Sequence, residues 1–159
     1  MLVDSDEHDE TGHITESAEV REHMVDKRMR KLDLLKEELI EPEFIGDQDC
    51  DTLLLAWGSL WGPVKEAVEK LNLGAANELD GAHKYGALVF GDIWPLPTKE
   101  LLDKVPQVNR IINIEQNATG QLASIISEVT GIRCTNSVLK YDGRPMSSQF
   151  IYQKVRGME

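Results

Sequence analysis

Side chains able to do chemistry crowd the segment from Glu115 to Gln121, where four of seven residues carry an amide or a carboxylate. Glu115 ends a short apolar run, and Asn117, Gly120 and Gln121 follow it. Ligands and partners usually dock at the carboxyl ends of parallel strands, so these four residues are candidates for a ligand-facing or interface site. A structural interpretation is equally open. Asn117 or Thr119 could cap the next helix while Glu115 takes a buried hydrogen bond.

A second candidate is the glycine turn over residues 57–63, which reads Trp-Gly-Ser-Leu-Trp-Gly-Pro. A strand that ends in such a turn and opens a helix can present backbone N–H groups to an anion, which makes Gly58 and Ser59 candidate ligand-facing residues. No Lys-Ser/Thr pair follows the glycines, and the spacing is not that of a dinucleotide-binding loop. We therefore favour a tight strand-to-helix turn over an anion site.

The third candidate is an acidic loop near the N-terminus. It contains Asp4, Asp6, Glu7, His8, Asp9, Glu10 and His13. These side chains could ligate a hard divalent cation. The loop does not match an EF-hand, because the required glycine would fall on Asp9 and the required glutamate on Thr15. We favour a solvated or partner-docking loop, with Asp9 and His13 as candidate interface residues.

The motifs of a complete active site are missing from the sequence. There is no GxSxG, no HExxH and no full nucleotide-binding loop. Cys50 and Cys134 lie too far apart in sequence for a CxxC motif, and two cysteines do not make a disulfide framework. The segment 140–145 reads as a turn. We assign no catalytic, cofactor-binding or metal-binding residue to this chain.

The first 49 residues are a lead-in to the rest of the chain. Apolar side chains recur at helical spacing within residues 17–39, and caps precede them, which predicts a long amphipathic helix after the acidic loop. Lys27 and Arg28 on its other face could pair with the loop or face water. Pro42 and Gly46 end the helix and open a linker.

From residue 50 onward, short apolar runs alternate with helical patterns. Strands are predicted at residues 53–57, 87–90 and 111–114, with one or two more within 132–140; helices are predicted at 63–71, 98–105, 119–129 and 147–155. Alternation with short connections predicts an α/β domain in three layers, with a mostly parallel sheet covered by helices on both faces.

The charge of the chain is concentrated in the lead-in. Residues 1–49 carry 16 acidic and 6 basic side chains, a net −10, whereas residues 50–159 carry 12 and 11, a net −1. This balance argues against a nucleic-acid partner or an anionic membrane surface. No apolar run approaches the roughly 20 residues that span a bilayer, and the acidic start is unlike a signal peptide. We expect a cytoplasmic protein.

Five blocks of this sequence resemble, in the same order, the alpha subunits of 2-oxoacid:ferredoxin oxidoreductases. The blocks are residues 6–16 with the basic helix 24–35, Trp57-Gly58-Ser59 with Glu66-Ala67, Pro95-Leu96-Pro97, Glu115-Gln116-Asn117 with Gly120-Gln121-Leu122, and residues 140–145. The likeness covers nearly the whole chain, and the first and last blocks are most similar to the 2-oxoglutarate-type branch.

The resemblance implies a fold similar to the C-terminal domain of transketolase, with about five strands in a mainly parallel sheet. It also implies an enzyme that converts a 2-oxoacid, such as 2-oxoglutarate or pyruvate, to an acyl-CoA while reducing ferredoxin. Thiamine diphosphate, magnesium, an iron-sulfur cluster and coenzyme A then belong to the complete enzyme, and none of them to this chain.

The implied role of this chain is architectural. Its partners would be the remaining domains of the alpha subunit and the beta subunit, with ferredoxin reached through the complete complex, and the chain alone would be inactive. We expect Met1 to mark an artificial start or a truncation. The main alternative is a stand-alone module in which the two turns bind coenzyme A or another phosphorylated ligand. A third is a generic interaction domain whose long helix packs on another chain.

Overall fold

The chain divides into two compact units, Met1–Leu39 and Ile40–Glu159. The computed structural model describes residues 6–75 and 83–158, so Asp4 of the acidic loop lies outside the described residues. Residues 40–49, which the sequence pattern placed in the lead-in, belong to the C-terminal unit, because Glu43–Gly46 pairs with a strand of its sheet.

In the N-terminal unit, the acidic loop is followed by helix α1 (Ala18–Leu35). Ser17 caps this helix, and its hydroxyl accepts a hydrogen bond from the Val20 amide at 3.3 Å. The helix ends four residues before the predicted end. Its last turn contains no basic residue, and Glu37 and Glu38 would place negative charge at the negative end of the helix dipole.

The C-terminal unit contains the sheet and four further helices. Its elements are β1 (Glu43–Gly46), β2 (Thr52–Trp57), α2 (Trp61–Ala75), β3 (Tyr85–Phe90), α3 (Lys99–Lys104), β4 (Arg110–Glu115), α4 (Gln121–Thr130), β5 (Asn136–Leu139) and α5 (Ser148–Arg156). Short 3-10 turns at Gly58–Leu60 and Val105–Gln107 precede α2 and β4. This confirms the predicted alternation of strands and helices.

The five strands run in the order β1-β3-β2-β4-β5. Only β1 is antiparallel to its neighbour among these pairs, and the others are parallel. The predicted class, a three-layer α/β fold with a mostly parallel sheet of five strands, is confirmed. From β2 the chain crosses to β3 on one side and later to β4 on the other, so the connections change direction between β2 and β4.

The central strands β2, β3 and β4 are buried on both faces, which explains why they are mostly apolar. One face packs against α2 and α5 through a core that includes Leu54, Ile112 and Ile151. The other face packs against α3 and α4 through a core that includes Leu55 and Ile126. Along β4, even-numbered side chains therefore face α2 and α5, and odd-numbered ones face α4.

Candidate functional site

The acidic loop forms a compact turn around the Asp9 carboxylate. Oδ1 of Asp9 accepts hydrogen bonds from the Thr11 amide at 2.8 Å, the Thr11 hydroxyl at 2.6 Å and the His13 amide at 3.0 Å. These bonds, led by that of the Thr11 side chain, lower the pKa of Asp9 to about 2. The His13 ring is 83% exposed, so it is free to meet another surface.

Ion pairs connect this loop to α1. The carboxylate of Glu7 is 8% exposed and lies 2.5 Å from Nη2 of Arg28 and 3.4 Å from Nη1 of Arg21. Glu10 pairs with Lys27 at 3.3 Å. Of the two interpretations of Lys27 and Arg28, pairing with the acidic loop is therefore the one that the structure confirms. Hydrogen bonds from Arg28 to Glu7 and from Lys27 to Glu10 lower the pKa of each carboxyl.

Glu115 is the centre of the second site, and it is fully buried. Five donors converge on its carboxylate. Oε1 accepts from Asn113 Nδ2 at 2.8 Å and from the Ala123 amide at 3.3 Å, whereas Oε2 accepts from Asn117 Nδ2 at 2.6 Å, the Leu122 amide at 3.0 Å and Trp57 Nε1 at 3.3 Å. Such a set of bonds compensates for the cost of removing a charge from water.

Two of these donors are backbone groups of the first turn of α4. The residue before this helix, Gly120, has a left-handed backbone (φ 66°) and no side chain with which to cap it. Glu115 reaches forward from the end of β4 and takes that role by accepting from Leu122 and Ala123. Asn117 instead shapes the turn, because its Oδ1 accepts from the Thr119 and Gly120 amides at 3.1 and 2.7 Å.

The Glu115 carboxylate also sets the orientation of neighbouring polar groups. Asn113 must present Nδ2 to it, and the Asn113 Oδ1 atom is buried without a hydrogen-bond partner among the described residues.

Burial, followed by the negative charge of Glu115, raises the pKa of Cys134 to about 11. The thiol of Cys134 is therefore poorly ionised and a weak nucleophile.

A shallow hollow lies where the sheet connections change direction, a position that binds ligands in many open α/β sheets. We call it the strand-end hollow; it is lined by Trp57, Gly58, Ser59, Leu60 and Gln116 and has a volume of about 240 Å³. The Trp57–Glu115 hydrogen bond joins the ends of β2 and β4 beneath it. None of these five lining residues carries a charge.

The candidate residues thus fall into two groups. Gly58 and Ser59 line the strand-end hollow, and Glu115, Asn117 and Gly120 lie at the same edge of the sheet. Gln121 follows them on the surface. Asp9 and His13 belong to the N-terminal unit.

The sequence pattern did not single out Trp57 or Asn113 as partners of Glu115. Asn113 carried a signal, since it is the polar residue in the middle of a buried apolar strand, where a hydrogen-bond partner is required. In the segment 140–145, Asp142 accepts from the Lys140 ammonium and from the Arg144 amide, as the turn interpretation expects.

The described residues do not fit a metal ion or an iron-sulfur cluster. Within residues 6–75 and 83–158, no three His, Cys, Asp or Glu side chains are grouped as metal ligands would be. A cluster of the ferredoxin kind requires four thiolates, and this sequence contains two cysteines. No helix in the described ranges is long and apolar enough to cross a membrane.

Several known proteins similar in sequence to this chain are alpha subunits of one enzyme class, although no family model matches the chain. The 2-oxoacid:ferredoxin oxidoreductase 1 alpha subunit of Aeropyrum pernix is 30% identical over 158 residues, which is 96% of this chain and 23% of the relative. The corresponding subunit of Saccharolobus solfataricus is 32% identical over 96% of this chain and 24% of its own length. This chain is similar throughout to one segment of these alpha subunits.

The resemblance found in the sequence motifs is thereby confirmed, and the chain spans about a quarter of the length of the alpha subunits that it matches. A solved 2-oxoglutarate:ferredoxin oxidoreductase from Magnetococcus marinus, with 2-oxoglutarate, coenzyme A and succinyl-CoA bound, superposes with a TM-score of 0.76. It is 25% identical and covers 98% of this chain and 26% of its own. A split-gene transketolase, 14% identical over 74% of this chain and 42% of its own, has a TM-score of 0.52 and shares the fold.

We predict that Glu115→Gln lowers the free energy of unfolding by about 3 kcal/mol, because an amide has one acceptor oxygen and directs its own donors at buried donors. Urea titration followed by circular dichroism measures this change. Glu128→Gln, an exposed position in α4, is the matched control and should change stability by less than about 0.5 kcal/mol. Equal stability of the two variants would contradict the structural role of Glu115.

We predict that the acidic loop leaves α1 at low pH. The pKa values of Glu7, Asp9 and Glu10 are lowered in the folded loop, so their stabilising effect is complete above the ordinary carboxyl range. It is lost as the pH falls from 4.5, the ordinary value for Glu7, toward the pKa of Asp9 at about 2. Amide hydrogen exchange at Thr11 and His13 reports the release.

The matched variants for this pH experiment are Glu7→Gln and Glu16→Gln. Removing the Glu7 charge breaks the pairs with Arg21 and Arg28, so the loop should exchange faster already at neutral pH. Glu16 is exposed and its replacement should have no effect. Unchanged protection of Thr11 down to pH 2 would show that these carboxylates do not hold the loop.

Proposed function

We propose that this chain serves as the transketolase C-terminal-like domain of the alpha subunit of a 2-oxoacid:ferredoxin oxidoreductase. The complete enzyme would convert a 2-oxoacid and coenzyme A to an acyl-CoA and carbon dioxide, and the two electrons released would reduce oxidised ferredoxin. The observation that carries the proposal is similarity to alpha subunits over 91–96% of this chain. The solved relative acts on 2-oxoglutarate, which favours that substrate over pyruvate.

Within that enzyme the role of this domain is architectural. The acceptor atoms of Glu115 are occupied by donors from its own chain, and Asn117 is engaged in the adjoining turn. A general base needs a free lone pair within reach of a substrate, and Glu115 offers none at the surface. As the resemblance to the alpha subunits implies, thiamine diphosphate, magnesium and the iron-sulfur cluster of the complete enzyme would lie in other domains and in the beta subunit.

The candidate residues have different roles at the proposed interface, because some are exposed and others are buried. Ser59, Gly58 and Gln121 are exposed and can contact another domain directly. Glu115 and Gly120 are buried, and they support that surface from below. In the N-terminal unit, Asp9 holds the turn from which the exposed His13 ring projects.

The partners are the remaining alpha-subunit domains and the beta subunit, and ferredoxin meets the assembled complex. The proposal involves neither nucleic acid nor a membrane, and it places the enzyme in the cytoplasm. The 28 acidic against 17 basic side chains support the exclusion of nucleic acid and of an anionic membrane, since both would repel such a surface.

A second candidate function, binding of coenzyme A or another phosphorylated ligand, is favoured by one observation. The strand-end hollow lies where the connections change direction, a common ligand position. Its chemistry argues against a phosphate, because its lining contains two aromatic or aliphatic side chains, a glycine, a hydroxyl and an amide, with no cation. Its volume of about 240 Å³ is also below the roughly 300–1,000 Å³ of typical ligand pockets.

Reconstitution tests the proposed function. This chain is to replace the segment that it matches in the alpha subunit of a relative, and the hybrid subunit is to be co-expressed with the beta subunit of that relative. We expect 2-oxoglutarate- and coenzyme A-dependent ferredoxin reduction from the complete set and none from the chain alone. A complex lacking this chain is the control, and full activity in that control would contradict the proposal.

Calorimetry of the isolated chain with coenzyme A separates the two candidates. We expect no saturable heat, because the strand-end hollow has no cation for a phosphate. Saturable heat that disappears in a Ser59→Glu variant, whose carboxylate would repel a phosphate, would instead favour the ligand-binding function.

A further inference from the structure

We draw no further inference here: the strongest candidate, the groove of about 510 Å³ between α4 and the edge strand β5, is lined mainly by small residues such as Ala123, Ser127 and Ser137, and nothing in the structure shows what covers it.

Discussion

One buried carboxylate organises the functional edge of this domain. Glu115 lies under the carboxyl ends of the strands with no exposure to solvent. It accepts hydrogen bonds from the ends of β2 and β4, from the following turn and from the first turn of α4. A charge so buried is tolerable only while each donor stays in place, because an unpaired charge in the interior costs several kcal/mol. The positions of Trp57, Asn117 and α4 are therefore coupled through one side chain.

This coupling bears on whether the strand ends form a ligand site, as they do in many open α/β sheets, or a surface, as the proposed function has it. The connections of the sheet change direction between β2 and β4, and open α/β sheets often bind ligands in the crevice at such a point. Here the Trp57 indole and the Glu115 carboxylate bridge the two strand ends. What remains at these strand ends is a hollow whose five lining residues are uncharged and include the partly exposed Trp57. That arrangement suits contact with protein, in keeping with a chain that matches about a quarter of a larger alpha subunit.

The sequence predicted the elements whose signals are local. Continuous apolar runs located β2, β3 and β4, and Ser17 and Ser147 marked helix starts that the structure confirms through their bonds to Val20 and Phe150. Strand β1 was missed, because it has two apolar residues, Phe44 and Ile45, between a proline and a glycine and is recognisable only through its pairing with β3. The cluster around Glu115 was located by composition. The sequence did not show that the Glu115 carboxylate points into the protein, because one of its donors, Trp57, lies 58 residues away in the chain.

Hydrogen exchange of the tryptophan indole protons tests the structural role of Glu115 most directly. The chain has three tryptophans, and NMR resolves one indole N–H signal for each. Trp57 donates to the buried carboxylate, whereas Trp94 is 59% exposed and serves as an internal reference. The account predicts that the Trp57 indole proton exchanges slower than that of Trp94 by on the order of a hundredfold or more, together with slow Leu122 and Ala123 amides. Equal exchange rates for Trp57 and Trp94 would contradict it.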